Sequence, residues 1–293
     1  MQQSYIKQTS LGTQKLQPLF DADVLLYEVG YAAEAGWQNP GFPPFDYCAE
    51  LLDQRVANTC AIVEATAPPI FFFTGKGNFR NDIAKTVPYK ERPSLKPFHY
   101  KNIKAYIKGK YDWRIQDGLE ADDLLAIEQT SRPNETIICT RDKDLFNFPG
   151  WKYSWELGNQ PSRGPLLVTE LGTLEYDEAK KKLKGDGGLF FYAQCLMGDS
   201  VDTIPGLPGI GPKKAYKILE GCHTSQEAFK RVLEAYRALL GPLAEERLLE
   251  QGRLLWMTRK LNEDGSPELW TFPSLETEEN GLQQENDLSL SPS

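Results

Sequence analysis

Short apolar runs separated by helix-length stretches limit most strongly the folds open to this chain. PLFDADVLLYEV reads as a buried strand from Pro18 toward Val29, APPIFFFTG as a second ending at Gly75, and NETIICTRDKD as another over Glu135–Thr140. Trp113–Gln116 reads as a third, shorter strand. Between them, Phe45–Glu64 places Leu52, Val56, Cys60 and Val63 on one helical face, and LEADDLLAIEQ opens a helix with acids. Strands alternating with helices argue for a parallel α/β sheet, whose ligands gather at the carboxyl ends of the strands. From about Tyr176 the pattern changes, and YDEAKKKL, FFYAQCLMG, KKAYKIL, SQEAFKRVLEAYRALL and AEERLLEQGRLLWMTRK are all helix-like. The expected organisation is an α/β domain over 1–175, a helical subdomain over 176–263, and an acidic tail over 264–293 that is disordered or loosely docked.

Charge and cysteine usage narrow the chemistry. The net charge of −8 comes entirely from the end of the chain, since eight acids and no Lys or Arg follow Lys260. The preceding body is charge-balanced, and within it residues 76–110 carry ten Lys/Arg against Asp82 and Glu91. A neutral body with one basic segment suits phosphate binding. The five cysteines form no C-x-x-C and lack histidines at ligand spacing, so a zinc site is not expected and any metal would be oxygen-ligated. No apolar run is long enough to span a membrane, and MQQSYIKQTS lacks the apolar region of a secretory signal, so a cytoplasmic protein is expected.

Four acidic clusters carry the functional signal. Asp21 and Asp23 interrupt an apolar strand, where a buried charge needs a partner or a metal. Glu120, Asp122 and Asp123 head a helix, Asp142 and Asp144 follow the TIICT strand, and Asp199 and Asp202 follow FFYAQCLMG. Carboxylates gathered in one site repel, and divalent cations relieve that repulsion. Two Mg²⁺ or Mn²⁺ ions held about 4 Å apart can activate water against a phosphodiester.

A second signal is Ile204–Leu219, IPGLPGIGPKKAYKIL. Gly209-Ile210-Gly211 supplies a tight turn with accessible amides, Pro212 starts a helix, and Lys213 and Lys214 lie beside its N-terminus. Such a hairpin grips phosphates without reading bases.

In order along the chain, F-D-A-D, Phe79-Arg80, Tyr89-Lys90-x-Arg92-Pro93, E-A-D-D, R-D-K-D, M-G-D-x-x-D and G-I-G-P-K-K-A resemble the 5′-nuclease (flap endonuclease) superfamily, most like the 5′–3′ exonucleases of tailed phages. The resemblance covers about residues 18–220. It implies a PIN-like parallel-sheet nuclease domain followed by an all-helical helix-three-turn-helix (helix–hairpin–helix) subdomain. It also implies Mg²⁺-dependent removal of nucleotides from 5′ ends or cleavage of 5′ flaps. Metal-binding acids would fall on Asp21, Glu120, Asp122, Asp123, Asp142, Asp144, Asp199 and Asp202. Arg80, Lys90 and Arg92 would face the scissile phosphate. Residues 92–113 take the place of the family's helical arch, where Lys96, Lys101 and Lys104 interleave with aromatics in a basic gateway suited to a single strand. One departure is clear: the family's second strand ends in F-D or T-D, and this one ends Phe73-Thr74-Gly75. The implied partners are DNA with a 5′ end or flap, with RNA–DNA hybrid and a replication-protein contact through the tail left open, acting as a monomer in a phage-infected bacterial cytoplasm. The competing reading is a non-catalytic DNA-binding replication scaffold on the same fold.

Overall fold

A computed structural model describes residues 16–90 and 95–274. The first unit runs β1 (Gln17–Asp21), α1 (Ala22–Gly36), α2 (Phe45–Ile62), β2 (Ile70–Thr74), the short α3 (Arg80–Ile83), α4 (Tyr100–Lys110), β3 (Asp112–Gln116), α5 (Ala121–Ser131), β4 (Thr136–Cys139), β5 (Gly150–Ser154) and β6 (Arg163–Val168). These strands form one sheet in the order β3-β2-β1-β4-β5-β6, parallel except for β6. β1, β2 and β4 at its centre are almost wholly buried, as their unbroken apolar runs require. Alternate residues feed opposite faces. Phe20, Phe71, Phe73 and Ile137 pack under α1, α2 and α4, while Leu19, Ile70, Phe72 and Ile138 pack under α5.

The second unit begins with a hairpin, β7 (Thr173–Asp177) and β8 (Lys182–Asp186), and continues α6 (Gly187–Met197), α7 (Pro212–Leu219), α8 (Ser225–Leu240) and α9 (Ala244–Leu255). A separate core of Phe191, Leu196, Phe229, Val232, Tyr236 and Leu248 holds it together. No helix among the described residues is long and apolar enough to cross a membrane.

Three expectations are corrected. The first apolar run is not one strand: β1 stops at Asp21, whose side chain accepts the Val24 N–H at 3.2 Å and caps α1. Both segments are buried, so hydrophobicity alone carried no boundary. YDEAKKKL is not helical either. It spans the β7–β8 turn, with Tyr176 opposite Leu183 and Leu174 opposite Gly185. Leu174 and Leu183 lie against the helical core, so the segment has a strand's period that its lysines conceal. The acidic tail is in part integral: Leu261 bridges Pro267, and Trp270 is buried against Phe191 and Phe229 with Phe272 beside it. Gly252 admits the indole, since a Cβ there would lie 2.2 Å from the Trp270 ring. Residues 275–293 lie outside the described residues.

Trp270→Ala should therefore destabilise the protein by about 3–5 kcal/mol, as removal of a buried aromatic does. A urea midpoint equal to that of the parent would show that residues 264–274 contribute nothing to the fold.

Candidate active site

The parallel order sets the site. β1 and β4 are neighbours, and α5 packs against β1 and β2, so the carboxyl ends of β1 and β4 and the start of α5 face one another. Asp21 ends β1 and accepts from Thr140 Oγ at 2.9 Å. Asp142 and Asp144 follow β4, with Asp144 N–H donating to Asp142 Oδ1 at 2.8 Å. Glu120 precedes α5 as its N-cap, and Asp122 lies in the first turn. Asp199 and Asp202 come from the loop after α6. Paired 2.8 Å hydrogen bonds between Asp199 and Ile204 close that loop. Gly198 and Gly206 make the closure: a Cβ on Gly206 would lie 2.3 Å from Gly198 N. Gln194 ties the two units together, donating to Asp144 at 2.6 Å and to Asp199 at 3.3 Å.

The acids fall into two electrostatic groups. One has cations. Lys90 Nζ sits 2.6 Å from Glu120 and 3.5 Å from Asp202, and Lys143 pairs with Asp199 and lies 3.6 Å from Asp144. Burial raises the Glu120 carboxyl, but Lys90 and Arg80 outweigh it and hold it below the ordinary value. Burial likewise raises Asp199, and Lys143 brings it below. The other group has little relief. Burial and the charges of Asp23 and Asp142 push Asp21 up to about 7. Burial and Asp142 push Asp144 to about 7 despite Lys143. Asp122 is driven well up by burial, Asp142 and Asp21, and burial also raises Asp142 and Asp202.

Two expected roles change. Arg80 does not face the open side of the cluster: its side chain is fully buried. It makes two 2.8 Å bonds to Asp123 and donates to Glu120 and to the carbonyls of Leu254 and Trp256. Asp123 is equally buried and also accepts from the Glu120 and Thr258 amides. The pair joins α3 and α5 to the end of α9. The helix geometry explains this: Asp123 turns back toward the Glu120 N–H in a capping box, leaving Asp122 to face Asp21 and Asp142.

The remaining basic positions lie outside the acidic cluster. Lys101 and Lys96 are exposed, Lys96 over the Tyr100 ring at 4.7 Å, and Lys104 is 4.9 Å from the Phe73 ring. α4 itself is docked through buried Ile103 and Ile107. Arg92 lies outside the described residues. At the hairpin, Gly209 adopts φ +74 and Gly211 is the N-cap of α7. Lys213 reaches Glu178 at 2.8 Å, and Lys214 donates to the Gly209 carbonyl at 2.9 Å. Sequence reasoning missed Lys143, Gln194 and Tyr89, whose hydroxyl donates to Glu120 at 3.0 Å. Lys143 was legible, since it stands between the two acids of D-K-D; Gln194 gave no signal.

The donor set suits a hard divalent cation: it is all carboxylate oxygen, and its members are pushed toward protonation by one another. As the side chains stand, no three of these groups among the described residues converge closely enough to hold one ion.

The comparisons with known proteins match the chain to relatives named as flap endonucleases and 5′-3′ exonucleases. Over 123 residues the chain is 36% identical to the flap endonuclease Xni of Shewanella halifaxensis, a match covering 40% of this chain and 44% of the relative. It is 30% identical over 150 residues to a 5′-3′ exonuclease of Streptomyces coelicolor, covering 49% of this chain and 46% of that protein. The chain thus spans under half the length of these relatives. Its fold matches the T5 D15 protein co-crystallised with metal ions, with TM-score 0.57 and 16% identity over 82% of this chain and 89% of that one. No family model matches.

Two outcomes follow. Asp123→Asn should cost about 3 kcal/mol or more of stability in chelator, because it unpairs the Arg80 charge; full stability with lost metal affinity would return Asp123 to the ligand set. In the metal-free protein, Asp21 and Asp144 hold protons up to about pH 7 that the unfolded chain, with carboxyls at 3.8, has already lost. Their contribution to stability is therefore complete at acid pH and is lost as pH rises from about 4 to 7. Thermal melts in EDTA at about pH 5 and about pH 8, with and without Mg²⁺, check this: divalent ion should stabilise far more at the higher pH.

Proposed function

We propose that the protein is a divalent-metal-dependent 5′-nuclease that hydrolyses DNA phosphodiesters at 5′ ends or flaps. The observation that carries this reading is the crowding of Asp21, Asp122, Asp142 and Asp144, buried or half-buried and mutually repelling, where the carboxyl ends of β1 and β4 meet the start of α5. On this reading Asp21, Asp122, Asp142 and Asp144, with Glu120, Asp199 and Asp202 across the cleft, hold two Mg²⁺ or Mn²⁺ ions. Bound there, the ions supply the activation of water and the stabilisation of the leaving oxygen that phosphodiester hydrolysis needs.

The chain's own residues do the rest. Lys90 and Lys143 neutralise the outer acids and, released from them, are free to meet the non-bridging oxygens of the scissile phosphate. Lys90 is primed for this by a left-handed backbone, φ +50, fixed by its N–H bonded to the Asp202 carbonyl at 3.3 Å. The α7 hairpin offers its amides and Lys213 and Lys214 to the duplex backbone, a contact that ignores base identity and admits RNA–DNA hybrid as well. Lys96, Lys101 and Lys104 receive the unpaired strand. The scaffold reading is disfavoured physically, since buried unpaired carboxylates destabilise a protein that never binds metal.

Mg²⁺-dependent shortening of a 5′-labelled duplex should fall by about 100-fold or more in Asp142→Ala, with EDTA abolishing the remainder. Matched flap, nicked and blunt substrates sort exonuclease from flap endonuclease action. Unchanged cleavage by Asp142→Ala would sink the assignment.

A further inference from the structure

The cluster has an acid at the end of β1, two beyond β4 and two at the start of α5, but β2, which lies between β1 and β3, ends without one. It ends at Thr74, and Gly75 follows. The structure shows why no side chain stands at Gly75. A Cβ there would lie 1.9 Å from the Gln116 carbonyl oxygen, 2.5 Å from its carbon and 2.8 Å from Asp117 Cα. These are backbone atoms of β3 and the turn that follows it. Gly75 N–H is in turn bonded to the Leu119 carbonyl at 3.0 Å, so the neighbour cannot withdraw without breaking the edge pairing of β2 and β3. Thr74 keeps its hydroxyl engaged as acceptor of the Ala121 N–H at 3.0 Å, which starts α5. Neither position can contribute a charge.

Asp23 fills that place. It lies in the first turn of α1, two residues past the β1 acid Asp21, and its Oδ2 accepts the Thr74 N–H at 2.9 Å. The carboxylate is therefore anchored on the carboxyl end of β2 although it comes from another element. It is half-buried, and a carboxylate with one anchored oxygen keeps further lone pairs for a ligand. The turn into α1 makes this geometry. The parallel register of β1 on β2, Asp21 opposite Phe72, brings the start of α1 level with Thr74. Because Asp21 caps the helix, Asp23 swings sideways over the neighbouring strand.

We infer that Asp23 is a further metal-site residue, supplying from α1 the carboxylate that β2 lacks at Thr74-Gly75 and reaching the divalent ion directly or through its water. This rests on the metal-dependent reading above. Asn at this position keeps an acceptor for the Thr74 amide while removing the charge, so Asp23→Asn separates a metal role from a packing role.

The test is calorimetric titration of Mn²⁺ into the full chain, with thermal melts in EDTA as the control for folding. Asp23→Asn should melt with the parent in EDTA yet bind Mn²⁺ about tenfold or more weakly. Adding Thr74→Asp to that variant, which returns a carboxylate to the end of β2, should recover most of the lost affinity. Asp23→Ser, which also keeps an acceptor, replaces Asp23→Asn should the amide disturb the melt. Parent-like Mn²⁺ binding in Asp23→Asn overturns the inference, and so does a double variant no tighter than the single one. A parent protein that binds no Mn²⁺ overturns instead the metal-dependent reading on which the inference stands.

Discussion

Repulsion between carboxylates is the constraint around which the rest of this structure is organised. Seven acids from four separate segments meet at one end of the sheet, and each unit charge removed from water and placed near another costs free energy. The molecule meets that cost unevenly. Glu120, Asp199 and Asp202 face lysines, and Asp123 is sealed against Arg80. Asp21, Asp122 and Asp142 have no cation paired with them among the described residues, and Asp144 has only Lys143 at 3.6 Å. An even distribution of cations would make a stable acidic surface with no use for a metal. The uneven one leaves a place where a divalent ion gains most.

Holding such a site open requires the two units to be fixed against each other, and the same ionic logic does it. The Arg80–Asp123 pair ends its hydrogen bonds on Leu254, Trp256 and Thr258, beyond α9, while Gln194 from α6 bonds both Asp144 and Asp199. The acids of the second unit are thus set at hydrogen-bond precision against those of the first. Glu250, buried near the same seam, accepts from the amides of Lys85 and Thr86 at 2.8 and 2.7 Å and ties α9 to the segment that leads into Lys90. The charges that look most catalytic in the sequence, Arg80 and Asp123, are the ones spent on this joint.

Much of this was legible from residues alone, and the failures have physical causes. Strands β2 and β4 and helices α2, α5, α7 and α8 stand where the sequence pattern put them, while β1 was read too long because its apolar run continues into α1. The acids at strand ends were legible because a parallel sheet directs its carboxyl ends to one side. What sequence could not carry was direction within a turn of helix: Asp122 and Asp123 are adjacent in type and position, and only the capping box decides which faces the cleft. The β7–β8 hairpin hid behind lysines that suit an exposed strand edge as well as a helix. Trp270 sat in an acidic, polar stretch whose composition argued for disorder, although a single indole fitted over Gly252 outweighs that average.

The charge inventory of the site also constrains how a polyanion could reach it. On the proposed reading, seven carboxylates are set against two lysines and two divalent ions, and the loaded cleft is still negative before any phosphate enters. Attraction at the chemical centre is therefore local, through the ions and the displaced lysines, and cannot steer a DNA end from a distance. Capture has to be done elsewhere, by positive charge placed outside the cleft on surfaces that hold the backbone while one phosphate is delivered. Lys96, Lys101 and Lys104 on and before α4, and the glycine hairpin with Lys213 and Lys214 on the other unit, are placed for this. On the same reading, the charge-balanced body before the acidic end of the chain keeps its acids and its basic surfaces in different places.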